Sequence, residues 1–143
     1  MTGPRFHAAR RIAAAPDRVW AALVDLPSWT AWNPTIVSVG GEVVAGGTVR
    51  LVATVNPGRT FVLRVTELVP ARRLVWASGM PLGLFRGVRT YALTPTDDGT
   101  GTDFAMGEAY TGALAGLIGR SIPDLNPSFE AFADALKATA ERG

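Results

Sequence analysis

The feature that most constrains this chain is a change of apolar period that happens only once over a long segment. Between residues 48 and 110 apolar side chains recur at every second position. Val49, Leu51, Ala53 and Val55 oppose Thr48, Arg50 and Thr54, and Phe61, Leu63 and Val65 oppose Arg64 and Thr66. Leu74 and Trp76 are in phase. So are Phe85, Arg89, Tyr91 and Leu93, and then Phe104, Met106, Glu108 and Tyr110. After that the period becomes helical: Leu125, Phe129, Phe132 and Leu136 fall at i, i+4, i+7 and i+11. Period two builds a sheet with one apolar face, and the second period builds one amphipathic helix to cover it. A single long helix on one sheet is an α+β layer arrangement.

Turn chemistry cuts the sheet into strands. Gly40-Gly41, Gly46-Gly47, Asn56-Pro57-Gly58, 70–73, 79–83 and Thr96-Asp97-Asp98-Gly99 are breaks. They leave strands expected over 36–44, 48–55, 60–68, 74–78, 85–93 and 102–110. Such short connections join antiparallel neighbours. An earlier strand is expected over 5–12, with Phe6, Ala8, Arg10 and Ile12 on one face. Pro16 and Asp17 suit a helix start, and Val19, Trp20, Leu23 and Val24 give that helix an apolar side. A second short helix is expected over 28–32, stopped by Asn33-Pro34. A short lead-in helix is expected over 113–119. Pro123 and Pro127 divide it from the final helix, for which Asn126 and Pro127 read as cap and first turn. The layout is two short helices after strand 1, then a curved antiparallel sheet of six to seven strands wrapped around a long C-terminal helix. A strongly twisted sheet and a straight helix do not fill the space between them, so a pocket is expected there. The 143 residues suit a single domain over 1–143.

Composition excludes several functions. At 48% hydrophobic and 18% charged the chain buries a real core. Its net charge of +2, with arginines spread along the chain, does not fit a nucleic-acid binder. No charge-free apolar run approaches the roughly 18 residues of a membrane span. The arginines before Ile12 precede too short an apolar stretch for a secretion signal, so a cytoplasmic protein is expected. There is no cysteine and one histidine, His7. A zinc site or a serine–histidine triad therefore has too few parts. The glycines do not spell a dinucleotide or phosphate loop, so no cofactor is expected. A monomer or a homodimer is compatible with the sequence.

The string from Ile12 to Trp20, Ile-Ala-Ala-Ala-Pro-Asp-Arg-Val-Trp, is followed by Trp29-Thr-Ala-Trp-Asn-Pro34. It resembles the opening of the SRPBCC superfamily, which includes START lipid-transfer domains, the pollen-allergen fold and polyketide cyclase/dehydrase-like proteins. The segment from Val65 to Trp76, Tyr91-Ala-Leu-Thr-Pro95 and the ending from Phe132 to Glu141 extend the resemblance over nearly the whole chain. It implies the helix-grip fold. It also implies a function among binding of lipids, sterols, polyketides or hormones, aromatase/cyclase chemistry, and partnership with chaperones. Fold alone does not choose among these.

The residues narrow the choice of site. Pairing the last hairpin so that Leu93 opposes Phe104 puts Tyr91 opposite Met106 and Arg89 opposite Glu108. An inward arginine–carboxylate pair among aromatics can orient a ligand carbonyl or carboxylate, or serve only as a structural ion pair. The expected ligand-binding set is Trp32, Phe61, Trp76, Phe85, Arg89, Tyr91, Phe104, Met106, Glu108, Tyr110 and Phe129. A binding module for a small hydrophobic molecule such as a lipid or polyketide needs only these. A cyclase or aromatase would use Arg89 on a carbonyl and Glu108 or a tyrosine on a proton. A toxin or chaperone-partner role would need a pocket filled by side chains.

Overall fold

Seven strands form one antiparallel sheet in the computed structural model, which describes residues 3–142. They are β1 (Arg5–Ile12), β2 (Ile36–Gly41), β3 (Thr48–Ala53), β4 (Phe61–Val69), β5 (Arg73–Gly79), β6 (Arg86–Pro95) and β7 (Thr102–Thr111). β2 to β7 run as a meander, and β1 joins it beside β7. Helices α1 (Pro16–Val24) and α2 (Trp29–Trp32) fill the connection from β1 to β2. Helix α3 (Ala115–Ile118) and the long α4 (Asn126–Arg142) follow β7. This is the curved half-barrel with a C-terminal helix that the resemblance implies.

Several boundaries differ from the sequence expectation. β2 stops at Gly41, not at Val44. Gly41 has φ of +107°, and a Cβ there would lie 2.1 Å from the Thr48 carbonyl oxygen; only glycine turns the chain so sharply at that spot. β3 ends at Ala53, where the Thr54 N–H turns to the Thr35 carbonyl. The lead-in helix is a single turn, α3, tightened into a 3₁₀ turn over Gly119–Ser121. α4 itself is unbroken for 17 residues. Pro123 precedes it and Pro127 lies in its first turn, where a missing N–H breaks no helical bond. Asn126, expected as the cap, instead accepts a hydrogen bond from the His7 N–H of β1 at 3.1 Å.

The core lies between α4 and the concave face. Phe129, Phe132, Leu136 and Ala140 are buried on the helix side, and Ile12, Trp76, Tyr91, Leu93, Phe104 and Met106 on the sheet side. Val19, Leu23 and Trp29 back the helix from the α1–α2 side. The Trp29 ring meets Phe132 edge-on at 5.2 Å, while its indole N–H donates to the Leu23 carbonyl. The partner a buried indole requires is thus provided.

Polar ties hold α4 along β1. Arg10 donates to both Glu130 and Asp134, the latter at 2.7 Å. The Ala13 N–H donates to Glu141, and Lys137 donates to Glu141 and to the Arg11 carbonyl. Arg10 holds the Asp134 carboxyl below the usual carboxylate range, and the Ala13 N–H and then Lys137 do the same for Glu141. Asp103 is lowered likewise by Arg11. These carboxylates bind protons less readily folded than unfolded. Their stabilisation is complete above the unfolded pKa and is lost as pH falls through the folded one. The melting temperature is therefore expected to hold from neutrality down to about pH 5 and to fall progressively below it. Arg10→Gln should flatten that acid slope. Thermal melts of both proteins across the acid range check this.

Candidate ligand cavity

The concave face is covered unevenly. α1 and α2 pack on α4 from Phe132 onward, whereas the first turn of α4 lies beside the start of β1 and the chain between α3 and α4. A cavity of about 520 Å³ opens there, within the size range of small-molecule sites. Its walls come from the start of β2, from β3 to β7 and the turn between β3 and β4, from the first two turns of α4 and from the residues between Ile118 and Leu125.

Of the residues the sequence marks, Phe61, Trp76, Phe85, Arg89, Met106, Glu108, Tyr110 and Phe129 line this cavity. Trp32, Tyr91 and Phe104 do not. Trp32 packs on Trp29 and Phe132 at the closed end. Tyr91 and Phe104 share the inward phase of Arg89 and Glu108 but sit further from the mouth. There Tyr91 is covered by Trp76 and Phe132, and Phe104 stacks on Tyr91. Other wall residues were not singled out from the sequence. Leu51 and Ala53 follow the alternation of β3 and were legible in principle. Leu125 was read as the first residue of the α4 stripe and not as a wall, whereas Ile122, before α4, and Arg59 and Thr60, in the turn before β4, were not read as part of a site.

The polar centre of the cavity is built on the β6–β7 register. It sets Leu93 opposite Phe104, Tyr91 opposite Met106 and Arg89 opposite Glu108. Arg89 Nε donates to Glu108 Oε1 at 2.9 Å, and the Tyr110 hydroxyl donates to Glu108 Oε2. The guanidinium lies over the Phe129 ring at 4.7 Å, a cation–π contact that ties the pair to α4. Tyr110 is held in place by Phe85, stacked at 5.5 Å, and by Gly87 across the hairpin. A Cβ on Gly87 would come within 3.0 Å of the Tyr110 ring, so the small residue makes room for the phenol.

The side chains of Arg89 and Glu108 keep 23% and 13% of their surface free, and both line the cavity. The charges therefore face it. Burial works against the Arg89 cation, but the Glu108 carboxylate and Tyr91 hydroxyl outweigh it and hold the guanidinium above its usual value. Burial, then the negative charge of Glu108, pushes the Tyr110 phenol well up. The Tyr91 phenol is raised by burial, partly offset by Arg89. It lies beside Arg89 without a well-formed hydrogen bond. At neutral pH the site thus holds a fixed cation and two protonated phenols. Arg89 spends only Nε on a well-formed bond among the described residues, and its two terminal nitrogens are free for an acceptor. No group of three or more histidine, aspartate or glutamate residues that could hold a metal occurs among the described residues, and no described helix is long and apolar enough to cross a membrane.

Comparison with known proteins agrees with this architecture. Hypothetical protein jhp0584 of Helicobacter pylori superposes with a TM-score of 0.77 at 14% identity, covering 97% of this chain and 89% of that one. The Zhui aromatase/cyclase of Streptomyces sp. R1128 gives 0.68 at 22% identity, covering 97% and 94%. The di-domain aromatase/cyclase BexL of the BE-7585A biosynthetic pathway gives 0.70 at 18% identity, covering 96% of this chain and 46% of BexL. At these identities the likeness is one of fold. No curated protein matches the chain. The profile of one family, described as polyketide cyclase / dehydrase and lipid transport, matches residues 4–141. With nearly the whole chain so matched and the half-barrel and its helix in place, this protein belongs to the polyketide cyclase / dehydrase and lipid transport family.

Proposed function

We propose that this chain binds a small, mainly apolar molecule in the cavity, with Arg89 as its polar anchor. The observation that carries the reading is a cavity of about 520 Å³ with many aromatic and aliphatic residues in its walls and a part-buried arginine, Arg89, among them, whose well-formed side-chain bond is made through Nε. Apolar walls supply the affinity, and a few fixed polar groups set the orientation. Arg89 suits a carbonyl or carboxylate oxygen of the ligand, because its planar donors can reach such an acceptor in pairs.

The same geometry argues for holding over reacting. Glu108 is the candidate base, yet Oε1 already accepts from Arg89 and Oε2 from Tyr110. A carboxylate so engaged steadies the cation beside it and is a poor proton acceptor for a substrate. A second reading, aromatase/cyclase chemistry, draws on the family description and the likeness to Zhui and BexL. On that reading Arg89 polarises a carbonyl and Glu108 or Tyr110 moves the proton. An interaction role as a toxin or chaperone partner draws no support from a cavity left open by side chains.

Filling the cavity tests the binding reading. Ala53 lines it from β3, and Ala53→Trp should abolish uptake of a fluorescent apolar probe while the far-ultraviolet circular dichroism stays native. Undiminished uptake would place the probe elsewhere. Glu108→Gln separates the two readings. A carrier should keep its affinity for an apolar ligand within a few-fold. An enzyme using Glu108 as base should lose turnover by about 10²-fold or more.

A further inference from the structure

The mouth of the cavity carries a surface that ligand binding does not explain. The antiparallel order puts the starts of β1, β4 and β6 and the ends of β3, β5 and β7 at one end of the sheet. Leu82, in the loop between β5 and β6, is 96% exposed. Its backbone is left-handed, with φ of 62°, a conformation costly for any residue but glycine. A strained loop that holds a leucine out in water indicates a task for that leucine. Leu117 of α3 is 65% exposed, and Met80, Leu84 and Val55 are exposed at the same end.

Leu82, Leu84 and Leu117 sit on one supported ledge. The Leu114 N–H donates to the Leu84 carbonyl at 2.8 Å, joining the β5–β6 loop to the turn before α3. Gly112, with φ of +110°, lets the two pass: a Cβ there would lie 2.5 Å from the Gly83 carbonyl oxygen. The ledge borders the cavity, since Met80 and Ile118, near neighbours of Leu82 and Leu117, are part of its wall.

Charge follows the same division. Arg5, Arg59, Arg86 and Arg120 are all exposed at the mouth end. Glu108 at this end is turned into the cavity against Arg89, and the Asp124 carboxylate accepts from the Asn126 N–H at the start of α4. The acids of the turn between β6 and β7, Asp97 and Asp98, and Asp103 beside it, lie at the opposite end.

We infer that this end docks on an anionic lipid bilayer. Protruding aliphatic side chains ringed by arginines match a bilayer interface: the leucines enter the acyl boundary and the arginines meet anionic headgroups. A protein partner would more commonly find aromatic anchors and pockets, and here the leucines stand free and the aromatics are turned inward. The surface is independent of what the cavity holds.

Co-sedimentation of the whole chain with phospholipid vesicles tests this. Vesicles containing about 30% phosphatidylglycerol in phosphatidylcholine should bind it at least about tenfold more strongly than phosphatidylcholine alone, and raised salt should weaken the binding. Leu82→Ser with Leu117→Ser should cut binding about tenfold or more at an unchanged melting temperature. Arg86→Gln with Arg120→Gln should lower binding to the anionic vesicles toward the neutral level. Val44→Ser, at the far end, should change nothing. Failure to bind anionic vesicles at low salt, or equal binding by the double leucine variant, overturns the proposal; an acidic protein that the leucine variant no longer binds would then be the occupant.

Discussion

One helix has to cover the concave face of seven strands, and the rest of the structure follows from how far it succeeds. α4 is 17 residues long, about 25 Å at ~1.5 Å per residue, and it presents a single apolar stripe. From its second turn onward, Phe132, Leu136 and Ala140 are backed by Val19, Leu23 and Trp29, so helix, sheet and the α1–α2 layer close on one another. Over its first turn no second layer exists. The sheet curls away from the helix there, and the space stays open. The same constraint makes one end of the fold a packed core and the other a cavity.

The polar groups respect that boundary. Arg89 and Glu108 lie at the level of Phe129, where packed core gives way to cavity. A charge there is too buried to stay unpaired. Glu108 neutralises Arg89, Tyr110 satisfies the other carboxylate oxygen, and Phe129 offers its ring face to the guanidinium. What remains are the terminal donors of Arg89, which make no well-formed bond among the described residues. On the proposed reading this leftover capacity is the recognition element, and the carboxylate and phenol keep it aligned.

Much of this was legible in the residues. The alternation in β3 to β7 and the i, i+4, i+7 stripe of α4 set the layers, and the short turn after Pro95 set the register that joins Arg89 to Glu108. Depth along the strands was not legible. Periodicity assigns Tyr91 and Phe104 to the same face as Arg89, but where the helix and the α1–α2 layer stop covering that face depends on how the elements meet in three dimensions. Trp32, expected among the ligand-binding aromatics, does not line the cavity for the same reason and packs against Phe132. The segment before α4 supplies Ile122 to the wall through loop geometry that no period encodes. Leu82 is invisible in the same way, because exposure and a left-handed backbone are properties of the folded loop.

The central claim is that the open end of the fold exists to hold an apolar molecule. Native mass spectrometry of the protein purified from its own host, released under mild conditions, tests it most directly. The account predicts a bound lipid- or polyketide-like species at about one per chain, bearing a carbonyl or carboxylate. A chain that flies only at its bare mass and takes up no apolar probe in solution would contradict it.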